Sequence, residues 1–511
     1  MTVHRLGDRA LLLECAPDLV AGYLAAARDA AESGEWEDVV DIVAAARTLL
    51  VRFASDAERR VAALSALVPG DATTQPDTGR SETSGSAAPL AARHVDIDVV
   101  YDGADLDAVA AETGLSPARI VALHSGVTYR ASFCGFAPGF AYLTGLDPRL
   151  SVARRASPRP RVPSGSVALA ADYTAVYPRA SPGGWRLIGR TDADLFDPWR
   201  SPPALITPGS TVRFHPVDAL AGAPEPRPPA EYAAAGDAGA EVVRAQGLAL
   251  LQDSGRPGLG LIAVGASGAF DRASHRLANR LLGNDESAAV IELVGGGLSL
   301  RALRACAVVV TGAEGPVSVN GAAAARHAPI HLRTGDLIDV GMPASGLRSY
   351  IGLRGGIAVR PLLGSASTDT LAGLGPARLV TGDVVFAGTP GAVPGVDLAP
   401  RGTHPAELLL RVIAGPRWDW FAPQAHRTLT EASYAVSQHS DRIGVRLDGP
   451  PLPRETRRES AELPPEGMVR GALQVPPDGR PVLLGPDHPV TGGYPVIAAV
   501  IDADLDAVAQ A

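Results

Sequence analysis

The side chains best suited to chemistry lie in short motifs rich in Gly, Pro and Arg. His124 precedes GFAPGFAYLTGLDPRL (135–150), and RRASPRPRVPSGSVALA (154–170) and YPRASPGGWRLIGRT (177–191) follow. Further along come LQDSGRPGLG (251–260), VGASGAFDRASHRLANRLLGN (264–284), GSASTDT (364–370), SDRIG (440–444), EGMVRGALQVPPDGRP (466–481) and TGGYPVIAAV (491–500). Asp253, Asp271, Asp441 and His124 are candidate general bases. Asp271 also reads as a helix cap, and His124 as a cation at a helix C-terminus. Tyr494 either donates to an oxyanion or packs. Gly183 with Gly184, and Gly492 with Gly493, either aim backbone N–H groups at developing negative charge or form tight hairpin turns. Arg155, Arg190, Arg256 and Arg442 either grip a carboxylate or phosphate with a planar fork or make structural salt bridges.

Arginine carries this weight because the 511-residue chain contains no lysine. That excludes a Walker A phosphate loop, a pyridoxal-phosphate Schiff base, a kinase β3 lysine, a Ser–Lys hydrolase and a lysine-attached biotin or lipoyl carrier. A GC-rich codon bias accounts for the absence, and the chemical exclusions hold whatever its origin. A net charge of −9 with scattered arginines argues against nucleic-acid binding. Cys15, Cys134 and Cys306 are far apart, which suits a reducing cytoplasm and excludes a thiolate zinc site. His327 and His331 are separated by Pro329, so no helical metal pair forms, and no metal is expected. The first residues reach Asp8 and Glu14 before any long apolar run, and no stretch approaches the ~20 residues of a membrane span.

The elements that must position these groups read as mainly β. Residues 1–68 alternate strand and helix signals in the order β-α-β-β-α, a small ferredoxin-like α+β unit, with Ser55 and Glu58 as a capping box. Residues 69–92 and 219–239 are low in large apolar groups and read as linkers. Between them, 93–218 begins with an alternating strand and two helices, then turns to short apolar segments broken by Gly and Pro. Residues 240–511 continue in that style, interrupted by one clear helix that Asp271 caps and Gly283 ends. At that length two β-barrels are expected there.

Taken together and in order, P-G-F-x-Y-L, S-P-G-G-W-R-L-I-G-R-T, Q-D-x-G-R-P-G and T-G-G-Y-P resemble the family of 5-oxoprolinase subunits B and C. The same family carries the older name allophanate hydrolase subunits 1 and 2, and its modules form the carboxyltransferase part of urea carboxylase and urea amidolyase. Residues 1–218 resemble the B component and about 240–511 the C component, here fused. The resemblance implies cyclophilin-like barrels, one in the B half and two in the C half, and a site between the halves.

It also implies one of two activities. With the separate A component of 5-oxoprolinase and ATP, such a complex opens the lactam of 5-oxoproline to glutamate. As a carboxyltransferase, it moves carboxylate from carboxybiotin on another protein to a urea-like nitrogen. A third reading, a regulatory binder, follows from the likeness of some B-type proteins to inhibitors of a sporulation histidine kinase. A cytoplasmic location and a possible homo-oligomer complete the expectations. The family's usual D-x-x-T-T run is Asp487-His488-Pro489-Val490-Thr491 here, so position 490 lacks a hydroxyl. Without lysine, the chain cannot run the Ser–Ser–Lys mechanism of amidase-type allophanate hydrolases.

Overall fold

The computed structural model describes residues 1–70, 93–222, 236–391, 395, 398–400, 405–458 and 461–511. Residue 71 onward of the expected linker 69–92 lies outside the described residues, as does 223–235 of the linker expected at 219–239. The chain is already in the strand Asp237–Ala245 before the second expected linker ends.

The N-terminal unit is a four-stranded antiparallel sheet. The helix Val20–Glu32 joins the strand Ala10–Glu14 to Val39–Ala44, and Thr48–Phe53 inserts between them, the split βαβ that the sequence predicts. Thr2–Arg5 adds an outer strand absent from the sequence reading. The cap of the following helical turn is Asp56, not Ser55. Asp56 Oδ1 accepts the Glu58 N–H at 3.0 Å, while the Ser55 hydroxyl is drawn to Asp38 instead.

This sheet is buried on both faces, which is why Ala10–Leu13 reads as an unbroken apolar run. Leu11, Leu13, Leu49 and Val51 pack with the helix and with Phe133, Phe140 and Tyr142 of the next domain. Ala10, Leu12 and Leu50, pointing the opposite way, pack with Met468, Val469 and Val496 from the far end of the chain. The N-terminal unit is thus a wedge between the two halves.

Residues 94–216 form one seven-stranded, nearly closed sheet in which His94–Val99 pairs in parallel with Thr211–Pro216. In the C-terminal half, a six-stranded and a five-stranded sheet drawn from residues 237–387 enclose one core, with Val242, Leu300 and Ile338 facing Leu251, Ile291 and Ile351. The helix Arg272–Leu282 lies on the second of these sheets, capped by Asp271 Oδ1 on the Ser274 N–H (2.9 Å) and ended by Gly283 at φ +65°. A further six-stranded sheet from residues 412–500 surrounds Phe421, Leu473, Leu483 and Ile497. The molecule is therefore mainly β, with a small α+β unit at its N-terminus and two β cores in the C-terminal half. No helix among the described residues is long and apolar enough to cross a membrane.

Candidate active site between the N-terminal unit and the C-terminal half

A cavity of about 450 Å³ opens where the wedge meets the C-terminal half. The N-terminal sheet and its turns supply Asp8, Arg9, Asp41 and Arg52. The 254–276 segment supplies Ser254, Ser267, Arg272 and Arg276, and the last barrel supplies Arg470, His488 and Asp502. Four of the sequence motifs, 251–260, 264–284, 466–481 and 491–500, thus converge on one space.

The walls are braced from behind by residues that the sequence marks for chemistry. Asp253 accepts four hydrogen bonds, from Gly255 N (2.7 Å), Ala366 N (2.6 Å), Ser365 Oγ (2.6 Å) and Ser367 Oγ (2.5 Å). Its lone pairs are committed to fixing the 251–260 loop on the 364–370 loop. Arg256 is 2% exposed and donates to the Ser367 carbonyl. Arg442 is equally sealed: Nε and Nη2 bind Asp487 (2.9 Å each), Nη1 binds Glu292 (2.6 Å) and Nη2 also binds the Gly268 carbonyl (2.7 Å). Burial alone would raise both carboxyls, but the Arg442 charge outweighs it and holds both below their usual range. Asp487 also takes Ser267 Oγ at 2.7 Å and Thr370 Oγ1 at 2.8 Å, tying the cavity wall to the core.

Two groups on the cavity itself can handle protons. The Nδ1 of half-buried His488 lies 2.9 Å from the Pro489 carbonyl. A carbonyl only accepts, so Nδ1 carries the proton and Nε2 keeps a lone pair. Burial pushes the His488 imidazole down to about 4, so it is neutral at pH 7. Asp41 Oδ1 accepts the N–H groups of Gly260 and Ile42, each at 3.0 Å, and burial raises its carboxyl above the ordinary range. Gly260 must be glycine: a Cβ there would lie 2.6 Å from Val43 Cγ2 and 2.8 Å from Asp41 Oδ1.

The other expected residues lie elsewhere. His124 is fully buried in the core of the B-half sheet, with Nδ1 on Tyr101 Oη (2.7 Å), Nε2 on Thr174 Oγ1 (2.8 Å) and its ring stacked on Phe214. Burial pushes it down to about 3. Asp441 is exposed, and its Oδ1 closes a turn by accepting Ile443 N (2.8 Å) and Gly444 N (3.0 Å). Tyr494 is 47% exposed and does not line the cavity. Arg155 and Arg159 share the buried carboxylate of Asp105, and Arg190 pairs with Asp102 on the surface.

The motif glycines Gly183 and Gly492 lie in strands rather than hairpin turns. The strand Ser181–Gly183 pairs with Arg159–Val162, and Thr491–Gly492 pairs with Glu466–Gly467. A Cβ on Gly183 would lie 2.4 Å from Tyr177 Oη, and one on Gly492 2.4 Å from Gln474 Nε2. Gly184 and Gly493 follow those strands, where a Cβ would meet nothing nearer than 3.8 and 3.5 Å. The T-G-G-Y-P and P-G-F motifs do meet across the halves: Phe136, at φ +67°, donates its N–H to Thr491 Oγ1 at 3.2 Å.

Sequence reasoning misses Arg52, Arg276, His488 and Asp41. Arg276 lies inside a quoted motif and His488 beside the T-G-G-Y-P motif, so position relative to a motif is a usable signal for both. Asp41 and Arg52 are single polar residues in strand segments, and nothing local sets them apart.

Comparison with known proteins adds a family. The model described as carboxyltransferase domain, subdomain C and D, matches residues 1–206, and that for subdomain A and B matches 262–511. The B subunit of 5-oxoprolinase from Escherichia coli O157:H7 is 53% identical over 127 residues, 24% of this chain and 58% of that protein, so the chain spans little more than half of that relative. The C subunit of 5-oxoprolinase from Escherichia coli K12 is 32% identical over 277 residues, 53% of this chain and 87% of that protein. The crystal structure of TTHA0988 superimposes with a TM-score of 0.84 at 32% identity, covering 98% of both chains.

Proposed function

The chain belongs to the carboxyltransferase-domain family that includes 5-oxoprolinase subunits B and C, and on that premise we propose that it is the fused B and C component of an ATP-dependent 5-oxoprolinase. Working with a separate A component, it opens the lactam of 5-oxoproline to glutamate, in a cytoplasm that keeps its three cysteines as free thiols. The observation that carries this reading is the convergence of motifs from the C-terminal half and the B-like N-terminal unit on one polar cavity holding a neutral imidazole.

Ring opening adds one water at the lactam carbonyl carbon, breaks the ring C–N bond and leaves a proton on the departing nitrogen, while a second water is consumed as ATP becomes ADP and phosphate. His488 Nε2 is the acceptor for the proton of the attacking water. Asp41 holds the Gly260 loop against the N-terminal sheet, so the wall that faces substrate is set before it arrives. The test is glutamate release from 5-oxoproline by this chain, its A partner and ATP. Glutamate from the complete mixture supports the reading, and none from a mixture with a demonstrably folded A partner overturns it.

A second reading is favoured by the description both family models share: carboxyl transfer from carboxybiotin on another protein to a urea-like nitrogen. Carboxylated urea formed in a carboxybiotin assay, without glutamate release in the first, would select it.

A further inference from the structure

We propose that Arg52 and Arg276, one from each half of the chain, clamp the carboxylate of the substrate and make the cavity selective for an anionic lactam over a neutral amide. The proposal rests on the reading of this cavity as the catalytic site.

The charges around the cavity divide into committed and uncommitted groups. Arg272 is held by Asp502 (2.7 Å) and Asp506 (2.8 Å), and Arg9 lies 3.6 Å from Asp502. Arg470 spends its guanidinium on backbone carbonyls, Phe270 O at 2.6 Å among them. Asp41 is engaged by two backbone N–H groups, and Asp8 Oδ1 by the Asp502 N–H at 2.8 Å.

Two cations are left. The nearest carboxylate oxygen to Arg52 is Asp41 Oδ2 at 4.0 Å, and Arg52 Nη2 is a shielded donor with no hydrogen-bond partner. Some 32% of the Arg52 side chain is exposed. Arg276, on the exposed side of the helix Arg272–Leu282, has no ion-pair or hydrogen-bond partner among the described residues. Asp41 faces Arg52 at 4.0 Å and the exposed Glu286 acts on Arg276 from longer range, and a single carboxylate entering here still meets a cation on each wall, with planar donors suited to two oxygens. The Arg52 charge also helps to hold the His488 imidazole neutral. A neutral urea would bring no charge to either cation.

The test is calorimetric titration of the full chain with 5-oxoproline, with 2-pyrrolidinone (the same lactam without its carboxylate) and with urea. 5-Oxoproline is expected to bind at least about tenfold more tightly than either neutral probe. Arg52→Gln and Arg276→Gln should each weaken 5-oxoproline about tenfold or more and leave 2-pyrrolidinone unchanged, with Arg52→Lys intermediate. Equal binding of 2-pyrrolidinone, wild-type affinity in both folded glutamine variants, or no 5-oxoproline binding with or without the A component would overturn the clamp. Glutamate release with an unchanged KM in Arg52→Gln sinks the clamp and spares the lactam reading. Arginine-dependent 5-oxoproline binding in a chain that releases no glutamate does the reverse.

Discussion

Arg442 sits between the two β cores of the C-terminal half with every guanidinium nitrogen bonded, two of its partners being the buried carboxylates of Glu292 and Asp487. One residue along from Asp487, His488 opens onto a cavity where Arg52 has its nearest carboxylate oxygen at 4.0 Å and Arg276 has no ion-pair partner among the described residues. Charge type is the same in both regions; what differs is compensation. A fully paired buried arginine stabilises the fold but has no donor left to exchange. An arginine at the edge of a cavity, short of partners, is electrostatically poised for a ligand. The contrast separates structural from chemical residues within a few residues of chain.

The strongest way to break that contrast is Arg442→Met, which strands two buried carboxylates. A loss of about 3–5 kcal/mol in unfolding free energy is expected, with partial recovery when Glu292→Gln and Asp487→Asn are added. A variant of native thermal stability that had lost substrate affinity would make Arg442 a ligand group and end the distinction. Next comes His488→Ala, expected to lower kcat by about a hundredfold while the unfolding midpoint stays near wild type. A large drop in midpoint with turnover per folded molecule intact would move His488 to the structural side.

His124 sharpens the comparison because, unlike His488, both of its nitrogens are bonded. It stays neutral in the fold down to about pH 3, whereas the unfolded chain protonates it near the ordinary 6.5. The unfolded state therefore binds the extra proton as pH falls below 6.5. The His124 contribution is full above that pH and declines by about 1.4 kcal/mol per unit below it. Denaturant unfolding at pH 6.5 and pH 5 should show about 2 kcal/mol of this decline in wild type but not in His124→Gln, and parallel curves for the two proteins would refute it. The smallest effect is expected at Arg190→Ala, which removes an exposed pair with Asp102. Stability should move by less than about 0.5 kcal/mol and turnover not at all. A tenfold fall in turnover would bring the B-half surface into the site.

The motifs point to the right segments more often than to the right side chains. Within 251–260 the conspicuous Asp253 and Arg256 turn inward, and Ser254 between them faces the cavity. Arg442 reads as an anion grip because it is cationic and in a motif; its carboxylate partners are 45 and 150 residues away. Gly183 and Gly492 look like turns because turns are where glycine pairs usually fall. They are glycine because Tyr177 and Gln474 press on those strands.

Sequence alone determined the mainly β class, the split βαβ at the N-terminus, the fused B-like and C-like order, and the exclusions that follow from a chain without lysine. It also determined that a permanently charged side chain gripping an anion here can only be arginine. Only the tertiary structure decided which arginines are spent and which are available. Pairing and burial depend on groups that long-range packing brings together, and a spacing along the chain carries no record of them. The N-terminal sheet, covered on both faces, carries Arg52 to the motifs of the C-terminal half, and that placement completes the cavity.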